Sequence, residues 1–255
     1  MTILSLFSIF CLLFSALPVN GDSVSFYAKR NNEHKQPVLD AAFSYIEEYD
    51  AFYVDKRHGD DCDERVLYLT FDAGYENGNI ERILDVLKEE KVPGAFFILE
   101  NLIKRNTALV RRMKDEGHLV CNHTMRHPDM SKISDIDAFS KELHALEAIY
   151  RQEIGGEMAK YYRPPEGRFS RKNLEMAQAL GYKTIFWSFA YADWDNDKQP
   201  SEEYAIKKIL DNTHNGAIIL LHPTSATNAA ILPRLIAEWR KMGYHFGTLD
   251  ELSAV

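Results

Sequence analysis

From residue 66 onward the chain alternates short apolar runs with longer amphipathic stretches, the signature of repeated βα units. Seven runs read as strands: 66–71, 95–99, 118–122, 160–163, 184–189, 217–221 and 245–249. The stretches between them carry helical periodicity. It is clearest in 79–91, where Ile80, Ile83, Leu84 and Leu87 recur at i, i+3, i+4 and i+7. Comparable stripes predict helices over 102–116, 134–153, 171–180, 201–212 and 226–242. Gly117, Gly181 and Gly243 follow three of these helices directly, where a left-handed residue ends a helix. The fourth strand is the weakest, being short and followed by Pro164 and Pro165.

The pattern differs before residue 66. Residues 22–64 are polar and irregular, with a helix-like acidic piece around Tyr45–Tyr49, and read as an N-terminal extension packed on a domain spanning 65–255. The first 21 residues carry no charged side chain, and Ile3 to Val19 is almost continuously apolar. Residues 1–21 are therefore expected to be a signal peptide, cleaved before Asp22, or an N-terminal anchor. Pro18, Asn20 and Gly21 stop the run short of the ~20 apolar residues that a spanning helix wants. An exported protein follows.

Composition narrows the function. The 255 residues are 45% hydrophobic, enough for a full core, and the net charge of −8 without basic blocks sets nucleic acid aside. No protein partner is inferable. Outside the first segment only Cys62 and Cys121 remain, too few for a disulfide framework, and whether they pair stays open. Cys121 reads as a small buried hydrophobe.

Polar residues with chemical potential gather at the carboxyl ends of the strands: Asp72, His123, Arg163, Asp193 and His222. Parallel α/β architectures build sites on that face. Adjacent strands lie ~4.8 Å apart, so the first and sixth strand ends of a sequential open sheet would be roughly 24 Å apart. A barrel brings them together, so the expected fold is α/β, a distorted (β/α) barrel of about seven parallel strands. Asp after a strand is ordinarily a turn or N-cap residue, but Asp72 sits beyond Leu69 and Phe71 at the rim of a dry core, where a general base can sit. His123 and His127 have the spacing of paired metal ligands, with Pro128 arguing for a turn rather than a helix. Arg163 is either a surface residue or a partner for a carboxylate. His222 is either a satisfied core histidine or part of the site.

In order, TFDAG (70–74), HTMRH (123–127), RPPEG (163–167), DW (193–194) and LLH (220–222) resemble the five motifs of the polysaccharide deacetylases of the NodB-homology type, carbohydrate esterase family 4. Within it, GYENG (74–78), NNEHKQP (31–37), EYDAFYVD (48–55), FWSFAYADW (186–194) and Asn228 are similar to the delta-lactam-biosynthetic, PdaA-like branch acting on N-acetylmuramic acid. The resemblance implies the NodB-homology barrel. It implies Asp72 as base, His123 and His127 as metal ligands, and Arg163 as the tether of the base. His222 is implied as general acid tuned by Asp193, with Trp194 and Leu220 receiving the acetyl methyl group. Most of the family has a second Asp where this chain has Ala73, and the PdaA-like branch lacks it too. The implied cofactor is a divalent metal ion, zinc or similar, weakly held because position 73 is Ala.

The expected activity is hydrolysis of the N-acetyl amide of peptidoglycan muramic acid, a step towards muramic delta-lactam in spore cortex. Its partners are glycan strands stripped of peptide by an amidase. The rival readings are a deacetylase of chitin-like or xylan-like polymers and a catalytically silent glycan-binding protein.

Overall fold

The computed structural model describes residues 23–31 and 33–254. The expected export segment at 1–21 lies outside them. Ten strands occur among the described residues: β1 (Val24–Ser25), β2 (Ala51–Phe52), β3 (Arg65–Ala73), β4 (Ala95–Ile98), β5 (Leu119–Asn122), β6 (Ala159–Tyr162), β7 (Arg168–Phe169), β8 (Lys183–Ile185), β9 (Ala217–Leu221) and β10 (Tyr244–Phe246). Eight α-helices accompany them: α1 (Ile80–Glu90), α2 (Glu100–Arg105), α3 (Thr107–Asp115), α4 (Ile136–Glu153), α5 (Arg171–Ala179), α6 (Glu202–Asp211), α7 (Ala226–Lys241) and α8 (Leu249–Leu252).

Each of the seven expected strands is present, all joined in parallel in one curled sheet. β3 is its axis. The carbonyl of Val66 accepts from Gly216 N–H and that of Leu67 from Gly247 N–H, and successive carbonyls point to opposite strand edges. β9 therefore lies along one edge, while β10 and then β4 share the other. From β4 the sheet continues through β5 and β6 to β8. Between β8 and β9 the ring is joined by the irregular segment after β8, where Ser188 N–H donates to Ile218 O at 3.0 Å and Leu220 N–H to Phe189 O at 2.9 Å.

The extension covers this seam. β2 pairs with β8, Val54 bridges Ala217, and Gln36 Nε2 donates to the carbonyls of Asp55, His58 and Asn215. Gly216 leaves room for that passage, because at its φ of +70° an added Cβ would meet Asp55 O at 2.4 Å. The helix-like piece expected around Tyr45–Tyr49 is a 3-10 helix at Ala41–Glu48, and two short strands and a second 3-10 helix at Lys56–His58 interrupt the otherwise irregular extension. Their apolar anchors, Phe26, Phe43 and Ile46, pack with Phe169 and Phe186.

Strand alternation sorts the side chains into two layers. Leu67, Leu69, Phe71 and Ala73 face the helices, packing with Ile80, Ile83, Leu84 and Leu87 of α1. Val66 and Tyr68 of β3 face the lumen with Phe97, Cys121, Tyr161, Ile185 and Ile218 of β4, β5, β6, β8 and β9. Leu249 and Leu252 plug the bottom of the lumen.

Three sequence expectations need correction. The helix expected over 102–116 is broken at Asn106, whose φ of −135° and ψ of 46° leave the helical region. The strand expected over 245–249 stops at Phe246, because Thr248 caps α8 with its side chain and Glu251 reciprocates. The strand expected over 184–189 ends at Ile185, where the chain leaves β6 for the seam. Gly117, Gly181 and Gly243 do take left-handed φ values, of 83°, 76° and 86°.

Candidate active site

The lumen parity continues beyond the strand ends. Two residues above Phe97, Cys121, Tyr161 and Ile218 come Leu99, His123, Arg163 and Leu220, with His222 two further on and Asp72 four above Tyr68. A cleft of about 640 Å³ opens there, lined among others by Asp72, His123, His127, Trp194, Leu220 and His222.

Arg163 is the buried centre of the arrangement, with no exposed surface. Its Nε donates to Ile185 O at 2.9 Å, Nη2 to Thr70 Oγ1 at 2.9 Å and Phe186 O at 3.1 Å, and Nη1 to Asp72 Oδ1 at 2.8 Å. The guanidinium also lies 4.2 Å from the Phe97 ring centre. A cation so bound cannot swing away from its carboxylate. Burial opposes ionisation of Asp72, but Arg163, helped by His123 and His222, outweighs it and holds the carboxyl below its ordinary range. Among the described residues none donates a hydrogen bond to Asp72 Oδ2, which lies 3.6 Å from His123 Nε2.

His123 Nδ1 lies 2.8 Å from the Arg163 carbonyl. Because a carbonyl only accepts, Nδ1 carries the proton and Nε2 presents a lone pair. Burial pushes its pKa down to about 4 against the pull of Asp72, so the ring is neutral at pH 7. His127 follows on the same loop, an exposed residue at a φ of 59°, its ring centre 5.0 Å from that of His123. The loop is a turn, held by Thr124 Oγ1 accepting from His127 N–H at 2.9 Å.

Among the described residues no group of three or more His, Cys, Asp or Glu is arranged to hold a metal ion. Ala73 offers no ligand and is packed against the helices. The donor chemistry nevertheless suits a divalent ion: a neutral imidazole with a free Nε2, its other nitrogen fixed by a carbonyl, and a second imidazole beside it. His123 and His127 would hold it, with one protein ligand fewer than catalytic zinc usually has.

Across the cleft, His222 Nδ1 is 2.7 Å from Asp193 Oδ1, and His222 N–H donates to Asp193 Oδ2 at 2.8 Å. Burial disfavours the imidazolium, but Asp193 more than offsets this and raises the His222 pKa above the usual imidazole value. Trp194 meets the His222 ring edge-on at 5.9 Å and is 59% exposed, while Leu220 is buried beneath the cleft. The structure thus brings Asp72, His123, His127, Arg163, Asp193, Trp194, Leu220 and His222 to one end of the barrel. Thr70 was not foreseen, although it precedes Asp72 by two and so shares its face. Tyr75, Glu166 and Trp187 also line the cleft.

A barrel enzyme with an ionised carboxylate, a neutral imidazole at His123 and a carboxylate-held imidazole at His222 around one cleft belongs to the hydrolases that activate water. Comparison with known proteins makes this specific. A polysaccharide deacetylase family model matches residues 59–185. An uncharacterised protein of Geobacillus stearothermophilus is 40% identical over 98% of this chain and 92% of its own length. The peptidoglycan-N-acetylmuramic acid deacetylase PdaA of Bacillus subtilis is 38% identical over 92% of this chain and 87% of its own. The solved structure of B. subtilis PdaA, a family 4 carbohydrate esterase, superposes with a TM-score of 0.85, covering 91% of this chain and 97% of that one. The chain belongs to the polysaccharide deacetylases of carbohydrate esterase family 4.

Proposed function

We propose that this enzyme removes the acetyl group from N-acetylmuramic acid in peptidoglycan glycan strands, outside the cytoplasm, after an amidase has removed the peptide. The carrying observation is the similarity to PdaA over nearly the whole chain, extension included. Peptide removal leaves the lactyl carboxyl free. The amine released by deacetylation can then close on it as muramic delta-lactam, which makes spore cortex the proposed setting.

In the proposed reaction the substrate amide lies between the Asp72–Arg163 pair and the His222–Asp193 pair. Asp72 Oδ2, which accepts no hydrogen bond from the described residues, takes a proton from water as the water oxygen attacks the acetyl carbon. His123 and His127 would hold a divalent ion, which when bound would supply Lewis-acid polarisation of the carbonyl and the water. The carbon–nitrogen bond breaks as His222 passes its proton to the departing amine, giving acetate and the free amine. Leu220 and Trp194 border the space for the acetyl methyl group. The two imidazole states suit this division: His123, neutral, presents a lone pair, and His222, held by Asp193, presents a proton.

Amidase-treated peptidoglycan, incubated with the enzyme with and without chelator and read by mass spectrometry, tests the reading. Loss of 42 Da (one acetyl as ketene equivalent, roughly) from muramic acid is expected, suppressed by chelator and restored by zinc. Release of acetate only from chitin-like or xylan-like polymers would replace the substrate assignment. Unchanged glycans of every kind would leave a binding protein and overturn the reaction.

A further inference from the structure

Asp193 and His222 sit on different segments, and their pairing needs both to be held. Asp193 lies in the irregular chain between β8 and α6, and His222 directly follows β9. Asn228, buried in the first turn of α7, touches both. Its Nδ2 donates to Asp193 Oδ2 at 2.7 Å and to the His222 carbonyl at 3.1 Å. An ionised carboxylate only accepts, which fixes the amide with its nitrogen towards Asp193. The amide oxygen then accepts from the Tyr191 hydroxyl.

The contacts close into a circuit. Asn228 N–H donates to Ser225 Oγ, the cap of α7, at 3.1 Å. Ser225 Oγ in turn donates to Gln199 Oε1, and Gln199 Nε2 donates to the Asp193 carbonyl at 3.0 Å. Asp193 is thereby gripped by its carboxylate from one side and its backbone from the other. His222 Nδ1 and N–H also donate to it, so both carboxylate oxygens are engaged, Oδ1 by the imidazole and Oδ2 by the His222 N–H and the Asn228 amide.

We infer that Asn228 is a positioning residue: its amide fixes the Asp193 carboxylate and the His222 backbone in one geometry, so that the imidazole is aimed into the cleft. Tyr191 and the Ser225–Gln199 link hold that amide in turn. The inference rests on the proposed role of His222 as proton donor, but its structural part can be read independently of any substrate.

The test has two readouts. In proton NMR, the short Asp193–His222 hydrogen bond should give the wild-type enzyme a far-downfield imidazole N–H resonance, identified by its loss in His222→Ala. Asn228→Ala should abolish or move it upfield and lower kcat by about 10–10²-fold, with KM within about twofold. Tyr191→Phe, which removes one hydroxyl, should change both in the same direction by less, and it serves where Asn228→Ala fails to fold. A folded Asn228→Ala enzyme, or failing that Tyr191→Phe, that keeps the resonance and kcat while losing only thermal stability overturns the inference. An enzyme inactive on every acetylated glycan would refute the proposed function, and the resonance would still decide the positioning.

Discussion

The barrel holds an aspartate at each end, Asp55 buried and Asp72 largely so, both beside an arginine and a histidine, and the two are used in opposite ways. At the bottom, Asp55 accepts from Arg57 N–H at 3.0 Å, Arg57 Nε and Nη2 at 3.2 Å each, Tyr68 OH at 2.5 Å and His58 Nδ1 at 2.7 Å. At the top, Asp72 accepts one hydrogen bond among the described residues, from Arg163. Both carboxyls are held below their ordinary range, in each case because cations and donors outweigh the cost of burial. Ionisation alone therefore does not mark a reactive group. The difference is the unfilled coordination of Asp72 Oδ2, which can take a proton from water, whereas every oxygen of Asp55 is already engaged.

Neutralising each aspartate separates the two roles. Asp72→Asn should cut acetate release by about 10²–10⁴-fold, and should also lower Tm because it leaves the buried Arg163 cation without its carboxylate. Residual activity within a few-fold of wild type would remove Asp72 from the reaction. Asp193→Ala should move the alkaline limb of the kcat–pH profile to lower pH. His222, whose pKa Asp193 raises, supplies a proton only below that pKa, so activity falls as pH rises through it. The acid limb, set by the depressed pKa of Asp72, should stay in place; an unmoved alkaline limb would show that Asp193 does not tune His222. Asp55→Asn should cost about 2 kcal/mol, the half-exposed Arg57 contributing little, and leave kcat intact. Thermal melts and initial rates decide this, and a lost kcat at normal Tm would make the bottom network functional. Trp194→Ala, at the exposed rim, should raise KM by only a few-fold, and a collapse of kcat would contradict that placement.

Most of this could be read along the chain, for a physical reason. Buried strands and amphipathic helices write their periods locally, so the seven parallel strands were visible, and Gly117, Gly181 and Gly243 marked helix ends. The motif residues were legible through resemblance, since spacing alone left His123 with His127 and Arg163 open. Elements of two residues, such as β1, β2 and β7, are too short to show a period. The four-residue α8 is equally brief, and the break at Asn106 lies inside an otherwise regular stripe. Tertiary hydrogen bonds leave no local trace: nothing in the sequence around Thr70 says that an arginine 93 positions later will donate to it.

The seam between β8 and β9 has a kinetic meaning. It is covered by contacts such as that of Gln36 with the Asn215 carbonyl, 179 positions apart in sequence. Such contacts repay their loop-closure entropy only after the intervening chain has collapsed. The segment synthesised early would thus dock late, and until it does the barrel exposes an unpaired strand edge. A chain handed across a membrane before folding would pass through that open-edged state, where aggregation and proteolysis compete with closure.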